Sequence, residues 1–245
     1  MDGYETSSYG DGLAEVYDEW FANVGDLDAV VELISQLASS GNGSVMELGV
    51  GTGRIALPLA ARGLSVLGID GSELMLERLA QKDPGATVER LHGDFSVISL
   101  PQRKFEVAFV AFNTLFNLVE PGAQARCFQS VSAHLSASGS FLIEAFVPDP
   151  AGPKATIEPR TIALDRVVLS ASKSDPIAQE VMGQYIDISS DGIVMRPWQI
   201  RWSTPEQLDE MASDAGLVLS ERWEDWSRSP FSETSPTHLS RYQLA

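Results

Sequence analysis

The eight residues Glu47-Leu48-Gly49-Val50-Gly51-Thr52-Gly53-Arg54 constrain the fold more than any other part of the chain. They follow an apolar run at 44–48 and open a helical pattern at 53–61, with Gly63 where a C-terminal cap belongs. Three glycines between a strand and a helix allow a tight turn and let a ligand approach the backbone closely. A dinucleotide fingerprint needs its third glycine at the position of Arg54, and here it falls at Gly53. Glu47 would also meet a pyrophosphate at close range, which is unfavourable. A ligand bearing an ammonium and a sulfonium would meet an attractive charge.

Around this loop the chain alternates between apolar strands and amphipathic helices. Strands are expected at 44–48, 65–69, 87–91, 106–111 and 140–145. Helices are expected from Asp26 or Asp28 to Ser39, from the Ser72 cap to Leu79, and over 122–135. Pro58 is tolerable in the helix after the loop because it lies near the first turns. Continuous apolar strands between such helices indicate a parallel sheet covered on both faces. Ligands in these sheets bind beyond the carboxyl ends of the strands, at the topological switch point.

The pattern changes after Phe146. Pro148, Pro150, Gly152 and Pro153 read as a linker. Antiparallel strands are expected at 166–171, 180–188 and 193–202, with Asp191-Gly192 as a hairpin signal. Thr204, Pro205 and Gln207 match a helix cap, a first-turn proline and a capping-box partner. Two last strands are expected at 217–223 and 238–244, the second antiparallel. The expected fold is therefore α/β: a Rossmann-like, seven-stranded, mostly parallel sheet with helices on both faces and a small antiparallel insert after the fifth strand. The parts are an N-terminal helical lid at 1–43, a core at 44–150, the insert at 151–202 as a substrate cap, and 203–245 completing the core. Residues 1–10 read as mobile or ordered by ligand, and 13–21 as one short helix.

Charge excludes several partners. The 245 residues carry 17 Lys+Arg against 34 Asp+Glu, a formal net charge of −17. Ten acids precede Arg54, the first basic residue. A sequence-independent nucleic-acid binder needs a basic footprint, and an anionic membrane would repel this chain. One cysteine and three histidines make a Cys/His zinc site unexpected, and no metal is expected. Lone Cys127 and a polar, acidic N-terminus unlike a signal peptide read as cytoplasmic.

The segment Glu47-x-Gly49-x-Gly51-x-Gly53 resembles the S-adenosylmethionine (SAM) loop of class I methyltransferases, and the later motifs fall in matching order. Asp70 ends the second strand, 21 residues after the first glycine, in Gly68-Ile69-Asp70. The resemblance implies that it binds the ribose hydroxyls, as acids there do in NAD-binding folds. It implies that Asp94, in His92-Gly93-Asp94-Phe95, accepts from the adenine amino group, with Phe95 beside the ring and Met75 beneath it. Phe112 and Asn113, in Ala111-Phe112-Asn113-Thr114, would border the reactive methyl. Thr52, Arg54 and Gly71 complete the implied cofactor set. The chain looks nearest to bacterial small-molecule enzymes such as sugar-amine N-methyltransferases. They share an Ala-Glu-x-Tyr-Asp segment, here Ala14-Glu15-Val16-Tyr17-Asp18, which makes Tyr17 a candidate lid residue over the cofactor.

The resemblance implies methyl transfer from SAM, leaving S-adenosylhomocysteine, to a nitrogen or oxygen of a small molecule of natural-product or sugar type. An amine need only be neutral, whereas a hydroxyl wants a base, for which His238 is the candidate. Trp20, Phe21, Phe146 and Trp198 are candidates for the acceptor pocket. A protein or peptide acceptor and a non-catalytic SAM-binding protein remain as alternatives, and Glu47 and Arg54 disfavour a nicotinamide oxidoreductase. The expected assembly is a monomer or homodimer.

Overall fold

A computed structural model describes residues 4–5, 7–39, 41–148 and 155–245. Three helices come first: α1 (Ser8–Leu13), α2 (Tyr17–Phe21) and α3 (Leu27–Ala38). Asp26 caps α3 by accepting from the Ala29 amide at 3.0 Å. Next come β1 (Ser44–Leu48), α4 (Ala56–Ala61), β2 (Ser65–Asp70), α5 (Glu73–Lys82), β3 (Val88–His92) and β4 (Phe105–Val110). A 3-10 turn (Thr114–Asn117), α6 (Ala123–Ser132) and β5 (Leu135–Phe146) follow. The insert comprises β6 (Ala155–Ile162), β7 (Arg166–Asp175), β8 (Glu180–Ser189) and β9 (Gly192–Arg201). The chain ends with α7 (Pro205–Asp214), β10 (Leu217–Trp223) and β11 (Thr237–Leu244).

The large sheet has the order β10-β11-β5-β4-β1-β2-β3, and only β11 runs antiparallel to its neighbours. Every residue of β4 is buried, because helices cover both faces. Phe105, Ala108 and Val110 pack with Cys127, Phe128 and Leu208 from α6 and α7 on one side. Val107 and Phe109 pack with Val30, Ile34, Leu59 and Leu79 from α3, α4 and α5 on the other. Strand order reverses between β1 and β4, so a crevice opens beyond their carboxyl ends.

The insert is a separate antiparallel sheet of order β6-β7-β8-β9. One face lies against the N-terminal helices. Arg166 ties it there, with Asp187 at 2.6 Å and Glu19 at 2.7 Å. The other face exposes Ile157, Ile162, Ile193 and Met195.

Several expectations differ in detail. Residues 8–10 of the segment read as mobile or ordered by ligand are helical, and the expected helix at 13–21 is two helices broken at Ala14–Val16. Strand β6 does not announce itself in the sequence, since Pro159 interrupts it and most of its side chains are exposed. Ser189 pairs with Gly192, so the two hairpin residues are Ser190 and Asp191, one position earlier than Asp191-Gly192 suggests. The linker residues 149–153 and residues 1–3 lie outside the described residues. Among the described residues no helix is long and apolar enough to cross a membrane.

Candidate active site

The loop after β1 and the turn after β4 face each other across the crevice. Gly49 has φ +72, and a Cβ there would stand 2.3 Å from the Thr114 side chain, so only glycine lets the two loops meet. Gly51 points its amide at Asp70, whose carboxylate accepts from Gly51 N at 2.7 Å and Ser72 N at 2.9 Å. Those two bonds fix the carboxylate in the wall of a cavity also formed by Gly71, Met75, Phe95 and Tyr17. Burial raises the Asp70 pKa against the opposing pull of the two amides. Helix α1 roofs this cavity with Tyr9 and Gly10. It is tied down where the Ser72 hydroxyl donates to Asp11 at 2.6 Å.

A charged end adjoins this cavity, formed by Glu47, Arg54, Phe112 and Tyr17. Arg54 donates to the Val24 carbonyl at 2.8 Å and lies 4.3 Å from the Phe112 ring centroid. Among the described residues its Nη2 is buried without a partner, and so is Glu47 Oε2. Burial pushes the Glu47 carboxyl well above the usual carboxylate range, with Arg54 opposing and Asp70 adding to the rise. An orphaned donor and an orphaned acceptor, both buried, suit a ligand with one carboxylate and one ammonium. The α-amino-acid end of SAM has that pair, and Asp70 offers acceptors to a ribose.

A larger chamber of about 330 Å³ joins these cavities between the core and the insert. Tyr17 and Thr114 line all three spaces. Phe21 from α2, Phe112 and Phe146 from the core, and Tyr185 and Trp198 from the insert supply an aromatic wall. The Trp198 indole N–H, Asn113, Asn117 and Arg160 are its other described polar groups besides the phenols and Thr114, and that indole nitrogen is buried with no partner among the described residues. Among the described residues no carboxylate and no histidine lines it. Burial pushes the Tyr17 phenol up to about 12 and raises Tyr9 and Tyr185 as well, so none is ionised near neutral pH.

Comparison with known proteins agrees with this geometry. Residues 45–139 match the family model described as "Methyltransferase domain". The structure of the CcbJ methyltransferase from Streptomyces caelestis is 36% identical, with a TM-score of 0.92, over 99% of this chain and 100% of that one. The chain belongs to the SAM-dependent methyltransferases. The cypemycin N-terminal methyltransferase from Streptomyces sp is 24% identical over 219 residues, 88% of this chain and 89% of the relative. The SAM-bound structure of CalS10, an amino pentose methyltransferase from Micromonospora echinaspora, shares the fold. It has a TM-score of 0.72 at 19% identity, covering 94% of this chain and 97% of that one.

The methyltransferase cofactor is SAM, which when bound supplies a methyl on a sulfonium sulfur that leaves as a neutral thioether. Tyr17, Glu47, Gly49, Gly51, Arg54, Asp70, Gly71, Met75, Phe95 and Phe112 lie on the walls of the two smaller cavities, and Asn113 on the larger chamber. Other sequence-derived candidates lie elsewhere. Thr52 is buried and turns its hydroxyl to Asp18 of α2 at 2.5 Å, so it ties the roof to the loop. Gly53 faces α5, where a Cβ would meet Leu79 at 2.3 Å, so it serves helix packing. Asp94 closes a turn on Ser96, at 2.7 and 2.8 Å, and lines an open groove beside the cavity at Asp70.

Phe21, Phe146 and Trp198 line the larger chamber, whereas Trp20 stands behind it, edge-on to Tyr185 at 5.5 Å. His238 does not line the chamber. It is fully buried, with Nδ1 2.9 Å from Ser240 Oγ, and burial lowers its pKa to about 4. Its parity on β11 puts it on the same face as Ser240 and Tyr242. The sequence reading missed Tyr9, Asn117, Arg160 and Tyr185. Tyr9 lay in a segment read as mobile or ordered by ligand, and Arg160 on the unread strand β6.

Proposed function

We propose that this methyltransferase methylates the nitrogen of a small-molecule amine of natural-product or amino-sugar type. The observation that carries this reading is the chamber itself, which is aromatic, has no carboxylate or histidine among its described lining residues, and meets the smaller cavity at Tyr17 and Thr114. A neutral amine has its own lone pair and needs only to be desolvated and aligned; its surplus proton leaves to water. A hydroxyl acceptor would need a base within hydrogen-bond reach, and the raised phenols of Tyr9, Tyr17 and Tyr185 are poor ones. Alignment is then the main contribution of the protein, and well-oriented pairs reach effective molarities of order 10⁵ M or more. Relatives bearing the names amino pentose methyltransferase and cypemycin N-terminal methyltransferase act on amines by those names, which supports the reading.

The test is S-adenosylhomocysteine release from SAM with matched acceptors that differ only in amine against hydroxyl. Turnover of the amines and not of their hydroxyl analogues is expected. Turnover of the hydroxyl members alone would overturn the reading.

A further inference from the structure

The insert carries four described arginines around the N-terminal helices and the chamber, and three are matched by acids. Arg166 pairs with Asp187 and Glu19, Arg196 with Asp187 and Glu15, and Arg201 with Glu180. Arg160 pairs with no carboxylate among the described residues, although acids outnumber bases two to one in this chain. Among the described residues it is also the one charged side chain on the chamber wall. Its Nη2 donates to the Trp20 carbonyl at 2.9 Å. Its guanidinium carbon lies 4.5 Å from the Phe21 ring centroid, 5.3 Å from Trp20 and 5.4 Å from Tyr185. The rings hold the guanidinium in place without neutralising it. Its remaining N–H donors have no acceptor among the described residues. A planar, pre-positioned fork with free donors suits bidentate binding of a carboxylate.

We infer that Arg160 is the specificity-determining cation of the acceptor chamber, and that the acceptor carries a carboxylate as well as the nitrogen that is methylated. The proposal rests on the amine reading and narrows it to amino-acid-like amines. The arrangement gives the acceptor a direction. The carboxylate seats at the insert wall, and the nitrogen is left for the side where Tyr17 and Thr114 border the cofactor cavity. The same positive charge disfavours an ammonium in the chamber and so favours the neutral nucleophile. A purely structural role is the competing account, in which Arg160 only clasps α2 to the insert.

Benzoate and benzamide, equal in shape and different in charge, separate the two accounts. Each is titrated calorimetrically into the S-adenosylhomocysteine complex of the wild type, Arg160→Gln and Arg160→Lys. The proposal expects benzoate to bind the wild type at least ten-fold more tightly than benzamide. Arg160→Gln should erase that preference with little change for benzamide, and Arg160→Lys should keep part of it. Equal binding of the two probes to the wild type, or parallel loss of both in Arg160→Gln, would overturn it. Should Arg160→Gln fail to retain S-adenosylhomocysteine, Arg160→Lys decides: a reduced benzoate preference supports the proposal, and an unchanged one contradicts it. The binding result does not depend on which atom is methylated. Failure of the amine reading shows instead in the turnover of amine and hydroxyl acceptors.

Discussion

The Glu144 carboxylate accepts a hydrogen bond from the Phe112 amide at 2.9 Å, holding a residue whose φ is +55. Asn113 follows at φ +61, with its amide on the Glu144 carbonyl at 3.1 Å and its side chain accepting from Phe146 N at 2.6 Å. Two successive non-glycine residues in the left-handed region cost roughly 1–3 kcal/mol each unless their surroundings impose the turn. Glu144 imposes it, and so aims Phe112 at Arg54 and the chamber. Glu144→Ala is expected to lower kcat about ten-fold or more and destabilise the fold by about 1–3 kcal/mol, the cost of an unpaired amide. Steady-state kinetics and urea unfolding check both. Unchanged kcat would show that the turn does not need its clamp.

Glu47 is expected to link cofactor binding to proton release. In the free protein burial favours the neutral carboxyl. An ammonium beside it favours the carboxylate, so binding lowers its pKa and expels a proton. Affinity for S-adenosylhomocysteine should rise with pH from the ordinary carboxylate range up to the raised pKa of the free protein. Calorimetry in buffers of different ionisation enthalpy should detect the proton, and Glu47→Gln should abolish both the proton and the pH slope.

Asp70 is anchored from both sides by backbone amides, so its carboxylate is pre-oriented for the ribose. Asp70→Ala is expected to weaken S-adenosylhomocysteine at least ten-fold, with a further loss from the unpaired Gly51 amide. Titration of the variant measures this directly, and an unchanged Kd would remove Asp70 from the cofactor site.

His238 has a pH signature of its own. Its folded pKa, about 4, lies below its ordinary value of 6.5. Between those values the unfolded chain binds more protons, so stability rises with pH and falls on acidification. The loss approaches roughly 3 kcal/mol below pH 4, at 1.36 kcal/mol per unit. Urea unfolding at pH 7.5 and 5 should show a smaller pH dependence in His238→Gln than in the wild type. The pH profile of methyl transfer should keep its shape in that variant, because His238 does not reach the chamber.

Local chemistry made much of the fold legible. Asp26 and Ser72 cap α3 and α5, and Thr204 with Gln207 forms a full capping box on α7. The buried run of β4 identified a central strand because apolar continuity is what two covered faces require. The glycine loop and Asp70 were legible as a strand-turn-helix unit, and the structure places Gly49, Gly51 and Asp70 on one cavity wall. What a loop residue faces was not legible. Thr52 and Gly53 share the motif with Gly49 and Gly51, yet they turn to Asp18 and Leu79. The side of a strand was equally hidden at His238, since parity alone decides it. The acceptor wall was the least legible, because Tyr9, Arg160 and Tyr185 meet only through long-range packing of α1 and α2 on the insert.

The most direct test of the account is the position of the transferred methyl group. SAM with a deuterated methyl is supplied to the enzyme with bifunctional acceptors carrying both an amine and a hydroxyl, and the product is fragmented by mass spectrometry. The account predicts the label on nitrogen, in an acceptor that also bears a carboxylate. A label on oxygen would contradict it.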